Sequence, residues 1–239
     1  ILLDTKMYKI GIVEKIHDKG IDLLKNNKNF DFEIIEDVSE NNLIKILPKF
    51  DGITLRVAKL GPNILSHCKN LKVISRHGVG YDNVDINYLK KNNIKLLITA
   101  TANAVSVAEH VMYMLLSLSK GIINYDSMVR SGDFRNDVKK LLTYEIFNKE
   151  ILIMGFGRIG KILIKRCLGF DMSVNVYDPF VDKKTIESFG GKKVEDLNIA
   201  FKTADFLSIH MPLNEKTKNL INLETLKSMK KNMIIINTA

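Results

Sequence analysis

One hexapeptide limits what this chain can fold into more than any other segment: Gly155-Phe156-Gly157-Arg158-Ile159-Gly160. It follows the apolar run Ile151-Leu152-Ile153-Met154, which reads as a strand buried on both faces. It leads into Lys161 to Leu168, where apolar residues recur at helical spacing. Strand, glycine turn and helix in that order suit a dinucleotide site, and each glycine has a separate task there. Gly155 makes the tight turn, Gly157 lets the backbone approach a pyrophosphate, and Gly160 lets helix and strand pack closely. The unpaired N–H groups at the helix start then face the phosphates. About 20 residues further on, Ser173 to Asp178 reads as the next strand, with the Asp178 carboxylate placed to accept hydrogen bonds from an adenine ribose diol. A 2′-phosphate there would meet a like charge, so NAD is favoured over NADP.

With 239 residues the chain has room for one large or two small domains, and the run of elements favours two. An apolar fraction of 46% and a charged fraction of 26% are those of a soluble globular protein. No segment approaches the uninterrupted apolar length of a membrane helix, so no membrane partner is expected. Residues 1–6 hold a short apolar run without a small-residue cleavage signature and are not read as a secretory signal. The two cysteines, Cys68 and Cys167, exclude a disulfide scaffold and make a reducing cytoplasm the simplest home. The formal charge of +9 raises the question of nucleic acid, but the lysines are scattered, as in Lys25-Asn26-Asn27-Lys28-Asn29, rather than gathered with aromatics on a face. A solvated basic surface is expected, with no nucleic-acid partner, and with a field that attracts an anionic substrate and cofactor.

Short strand-like runs recur before the glycine loop at Tyr8 to Val13, Phe32 to Ile35, Gly52 to Leu55, Leu71 to Ser75 and Ile94 to Thr99, with helical segments between them. This alternation predicts a small parallel α/β sheet. Ser106-Val107-Ala108-Glu109 then has the form of a capping box, with Ser106 as N-cap ahead of a helix of about four turns. Met112, Met114, Leu115, Leu116 and Leu118 surround that helix, which suits burial between two bodies, either domains or subunits. A second sheet is predicted from strands at Ile151, Ser173, Asp205 to His210 and Met233 to Asn237.

Just past a strand of the first sheet lies Arg76-His77-Gly78-Val79-Gly80-Tyr81-Asp82. Successive N–H groups in such a turn can form an anion-binding concavity, and from these residues alone the segment reads either that way or as a plain glycine-rich turn. Arg56, at the end of an earlier strand, is either a ligand for an acidic group or a surface arginine.

These segments resemble the D-isomer-specific 2-hydroxyacid dehydrogenases, nearest the D-3-phosphoglycerate dehydrogenase branch, over essentially the whole chain. The resemblance rests on Leu55-Arg56, on Arg76 to Asp85, on Asn103-Ala104-Val105-Ser106-Val107-Ala108-Glu109-His110, on the glycine loop, on Tyr177-Asp178-Pro179, on His210-Met211-Pro212-Leu213 and on Asn237-Thr238-Ala239. It implies two doubly wound parallel-sheet domains: a flavodoxin-like substrate-binding domain over residues 1–100 and a Rossmann NAD-binding domain over 101–239, both incomplete within this chain. Segment Arg76 to Gly80 is implied to hold the substrate carboxylate through backbone amides, with Arg56 and Arg76 on the side where a phosphate would lie. Arg158, Ile159, Asp178, Met211, Thr238 and Ala239 are implied to line the dinucleotide, with Val79 near its nicotinamide end and His210-Met211-Pro212 at its edge. A homodimer through the helix that starts at Ser106 is implied as well. The chain departs from the family pattern at Ala100-Thr101, where Pro-Gly is usual, at Phe134, where tryptophan is common, and at Arg56 to Leu60, one residue shorter than the usual loop.

Reducing a 2-keto acid requires a proton donor at the carbonyl oxygen, a carboxylate beside it and a cation that holds the substrate. The family uses His, Glu and Arg, whose motifs follow the one matched by Asn237-Thr238-Ala239. No catalytic residue is therefore assigned within the chain, and these three are expected after Ala239. His210 is read with the cofactor rather than as the acid, His77 is read as a substrate contact, and His17, His67 and His110 are read as surface or packing residues. Glu109 is read as the capping-box partner, and no metal site is expected. The leading expectation is an NAD-dependent oxidoreductase acting on a small anionic D-2-hydroxy acid, with 3-phospho-D-glycerate first and glycerate/hydroxypyruvate next. A non-catalytic NAD-sensing protein of the same fold is the alternative of another class.

Overall fold

A computed structural model of the chain describes residues 7–239. The segment read for a secretory signal lies outside the described residues. The chain separates into two units, Ile1–Asn103 and Ala104–Ala239, each with its own parallel sheet.

In the first unit the order is β1 (Tyr8–Val13), α1 (Asp18–Lys25), β2 (Phe30–Ile35), α2 (Glu40–Ile46), β3 (Gly52–Leu55), α3 (Pro62–Leu65), β4 (Val73–Arg76), α4 (Ile86–Lys91) and β5 (Lys95–Ile98). The strands pair in parallel in the order β2-β1-β3-β4-β5, the flavodoxin-like winding. Val13, Ile53, Leu55 and Ile74 are at most 1% exposed and form the floor of a core closed by Leu43, Leu47 and Leu89 from the helical segments. The register Leu55↔Arg76 brings the ends of β3 and β4 side by side, so Arg56 and the turn after Arg76 leave the sheet at the same edge.

The second unit runs α5 (Ala104–Lys120), α6 (Ile122–Ser131), α7 (Phe134–Asp137), β6 (Glu150–Met154), α8 (Arg158–Leu168), β7 (Ser173–Tyr177), α9 (Lys183–Ser188), β8 (Lys192–Lys193), α10 (Leu197–Thr203), β9 (Phe206–Ile209), α11 (Leu223–Ser228) and β10 (Ile234–Asn237). Its sheet order, β10-β9-β6-β7-β8, is that of a Rossmann fold read through its first five strands. Central β6 is wholly buried from Ile151 to Met154, and its residues alternate between two cores. Ile151 and Ile153 join α5 and α8 on one face, whereas Leu152 and Met154 join Phe201, Leu207 and Met229 on the other. Helix α8 buries Gly160, Leu163, Ile164 and Cys167, the stripe expected of a helix laid on a sheet.

One local expectation gives way, and one strand had not been expected. Helix α5 begins at Ala104, two residues before Ser106, so no capping box forms there. Glu109 instead pairs with Arg166 of α8 at 3.1 Å, because the turn beneath it faces the neighbouring helix. Strand β8 had no local signal. Its two residues become a strand only because Asn175 and Val176 of β7 offer them a parallel partner.

Candidate functional site

The glycine loop leaves β6 at the carboxyl edge of the second sheet, beside the strand where the order reverses. Gly155 sits at φ +101, and a Cβ there would lie 2.8 Å from the His210 carbonyl oxygen, so only glycine fits the turn. A Cβ on Gly160 would collide with the Gly155 carbonyl oxygen, which is why α8 can lie so close to the loop. Around Gly157 the opposite holds, since nothing lies within 4 Å of where a Cβ would be. That open approach, at the N-cap of an eleven-residue helix without a side-chain cap, is the space and the partial positive charge a pyrophosphate needs. Arg158 and Ile159 open the helix at the rim, Arg158 exposed and Ile159 half-buried.

Asp178 stands one residue past β7, and both of its carboxylate oxygens accept backbone hydrogen bonds, Oδ2 from Phe156 N–H and Oδ1 from Phe180 N–H, each at 2.8 Å. The carboxylate thus splints the glycine loop to the end of β7. Each oxygen keeps a lone pair for a ribose hydroxyl, so the residues present fit the adenosine half of a dinucleotide.

Across the loop lies His210, whose N–H donates to the Met154 carbonyl at 2.8 Å. Its Nε2 shares a hydrogen bond of 2.8 Å with Ser208, fully buried in β9, and its Nδ1 one of 3.4 Å with Thr238 after β10. Burial pushes its pKa down to about 4, so the ring is neutral at physiological pH with both nitrogens engaged. Ser208 was missed in the sequence, although a serine two residues before a histidine in an apolar strand shares its face. Met211, Pro212 and Ala239 line one cleft of the second unit together with Met154, Leu220 and Asn237. Thr238 and Asn237 line another with Ser106, Val107, His110 and Met114. Among the described residues no three His, Cys, Asp or Glu side chains gather to hold a metal, and no helix is long and apolar enough to cross a membrane.

In the first unit the glycine turn is narrower as an anion cradle than its sequence implied. His77 N–H donates to Leu55 O at 2.8 Å and Gly78 N–H to Arg76 O at 2.9 Å, so both donors are already used. Val79 and Gly80 carry the N–H groups of the turn that have no partner among the described residues. The Arg76 guanidinium folds back onto the His77 carbonyl and occupies the space where a Gly78 Cβ would stand. Arg56 is exposed, and its guanidinium donates to the Lys15 carbonyl at 3.2 Å.

Fold and glycine loop together define a doubly wound dinucleotide-binding protein. Residues 112–239 match the family model described as D-isomer specific 2-hydroxyacid dehydrogenase, NAD binding domain. The chain is 34% identical over 233 residues to a hydroxypyruvate reductase of Thermotoga maritima, covering 97% of this chain and 74% of that protein. It is 32% identical over 234 residues to a D-3-phosphoglycerate dehydrogenase of Methanocaldococcus jannaschii, covering 98% of this chain but only 44% of that one. A D-lactate dehydrogenase from Aquifex aeolicus, solved with NAD and lactic acid, superposes with a TM-score of 0.82 at 28% identity, over 96% of this chain and 68% of its own. The chain belongs to the D-isomer-specific 2-hydroxyacid dehydrogenases, and its cofactor is NAD.

Proposed function

We propose that this protein is an NAD-dependent dehydrogenase of a small D-2-hydroxy acid, with 3-phospho-D-glycerate as the leading substrate. The observation that carries the reading is the glycine loop, open at Gly157 and splinted by Asp178. The nicotinamide, when bound, exchanges a hydride with the carbon that carries the substrate hydroxyl. In the second unit, Gly155, Gly157, Arg158, Ile159 and Gly160 hold the pyrophosphate. Asp178 takes the adenine ribose, and with it the preference for NAD over NADP. His210, Met211, Pro212, Thr238 and Ala239 border the rest of the cofactor.

In the first unit the Val79 and Gly80 N–H groups receive the substrate carboxylate. Arg56 supplies positive charge for a second anionic group, while Arg76, His77 and Gly78 shape the turn. His210 is not the proton carrier, because its Nε2 is held by Ser208 and its Nδ1 by Thr238, which leaves neither ring nitrogen free to meet a substrate. Similarity to the Thermotoga reductase supports glycerate and hydroxypyruvate as the second substrate reading. The acid is the small-molecule partner, the protein works as a homodimer in the cytoplasm, and neither nucleic acid nor membrane takes part.

The deciding experiment is steady-state kinetics of the full-length protein with NAD and 3-phosphoglycerate or glycerate, and with NADH and hydroxypyruvate. A kcat/KM at least tenfold higher for 3-phosphoglycerate than for glycerate is expected. Higher activity with hydroxypyruvate and glycerate would move the assignment to the second reading. NAD binding without turnover of any of these acids would favour a sensor over an enzyme.

A further inference from the structure

Glu14 has no role in any of the chemistry above, yet it is held in a backbone conformation that needs an explanation. It follows β1 directly and sits at φ +67, in the left-handed region that a residue with a long side chain seldom adopts. Its own N–H donates to Ile35 O at 2.9 Å, which continues the β1–β2 ladder by one residue. The twist turns the side chain towards the turn after β3. There Oε2 accepts from two successive backbone donors, Val57 N–H at 2.7 Å and Ala58 N–H at 2.9 Å. The next carbonyl along, that of Lys15, accepts from the Arg56 guanidinium at 3.2 Å.

The opposite side of the same turn is also held. Asn83 Nδ2 donates to the carbonyls of Ala58 at 2.8 Å and Arg56 at 3.3 Å, and Leu60 N–H donates to Asn83 O at 2.8 Å. A carboxylate therefore grips the Val57 and Ala58 N–H groups, and an amide grips the Arg56 and Ala58 carbonyls. The segment from Arg56 to Lys59 is anchored in the core by Ala58 alone, since Val57 is 70% exposed and Arg56 and Lys59 lie at the surface. Hydrogen bonds to a charged acceptor are shorter and stronger than neutral ones, which suits a clamp on an exposed segment.

We propose that Glu14, opposed by Asn83, is a positioning residue that sets the turn carrying Arg56 in the geometry that meets the acid. This rests on the dehydrogenase reading and goes beyond it, because Glu14 touches neither acid nor cofactor. Its carboxylate also fills the paired N–H groups of Val57 and Ala58, so these two amides do not bind the substrate anion, and charge from this segment comes from side chains, Arg56 and the exposed Lys59.

The test compares Glu14→Ala, Glu14→Gln and Asn83→Ala with the unaltered full-length protein, using 3-phosphoglycerate, glycerate and hydroxypyruvate as probes. Glu14→Gln keeps an oxygen able to accept both N–H groups, so it is the conservative rescue. Glu14→Ala is expected to raise KM for the acid about tenfold or more, with kcat changed less and the NAD dissociation constant within about twofold. Glu14→Gln should recover most of that loss, and Asn83→Ala should resemble Glu14→Ala. The Val57 and Ala58 amide resonances should shift in Glu14→Ala and lose their protection from hydrogen exchange. An unchanged KM in Glu14→Ala, or equal loss of acid binding, NAD binding and thermal stability, would overturn the inference while leaving the dehydrogenase standing. Absence of turnover by the unaltered protein would overturn the dehydrogenase reading and this inference with it.

Discussion

At the scale of single residues, the three loop glycines do three different things, and substitution separates them. Gly157→Val places a branched side chain in open space, so the fold should survive while NAD binding is lost. Gly160→Val drives atoms into the Gly155 carbonyl, and should lower stability by about 1–3 kcal/mol or more. Calorimetric unfolding beside NAD titration distinguishes the two, and unchanged NAD affinity in Gly157→Val would mean that the loop is structural only. Asp178→Ala removes the ribose acceptor and also frees the Phe156 and Phe180 N–H groups. NAD should bind about tenfold more weakly or worse, and the gap to NADP should narrow. Equal affinity for the two cofactors in the unaltered protein would contradict the assignment.

His210 makes a prediction about pH. Its folded pKa of about 4 lies below the ordinary 6.5, so between these values the unfolded chain binds more protons than the native one. Stability from this site is therefore complete above pH 6.5 and lost as pH falls towards 4, by up to roughly 3 kcal/mol. Unfolding midpoints measured from pH 7 to pH 4 should fall less steeply in His210→Asn than in the unaltered protein. Parallel curves would show that another group carries the acid sensitivity.

Among elements, β6 is the one on which the second unit depends, because four consecutive wholly buried residues, Ile151 to Met154, divide between both cores. Leu152→Ala removes a wholly buried side chain between Phe201 and Leu207, and should cost about 2–5 kcal/mol in denaturant unfolding. By contrast, Glu109→Ala removes one partner of the α5–α8 ion pair, with the Glu109 side chain 62% exposed, and should cost about 1 kcal/mol or less. A larger loss at Glu109 would mean that the α5–α8 contact leans on this pair rather than on Val111, Leu115 and Leu163.

For the whole molecule, helices α5 and α6 leave Tyr113 at 61%, Leu118 at 57%, Ile123 at 79% and Val129 at 63% exposure. So much apolar surface on consecutive helices is what a self-association face requires. Sedimentation of the full-length protein should give a dimer at micromolar concentration, and a monomer there would remove the proposal.

The strand and helix pattern, the glycine loop and the approximate place of both sheets were legible in the residues, because burial and turn chemistry act over a few neighbours. Gly155 to Gly160 announced its turn for that reason, and so did the buried run from Ile151. What the sequence left open involves partners far apart in the chain. Nothing near Glu14 says that it will grip Val57 and Ala58, nor does anything near His210 point to Thr238, or near Glu109 to Arg166. In the first two cases the partners meet because parallel strands align their carboxyl ends, and in the third because α5 lies against α8. The two-residue β8 is set by pairing with β7 in the same way. Local chemistry wrote the elements into the sequence, and only the register of the sheets and the packing of the helices decided which polar groups would meet.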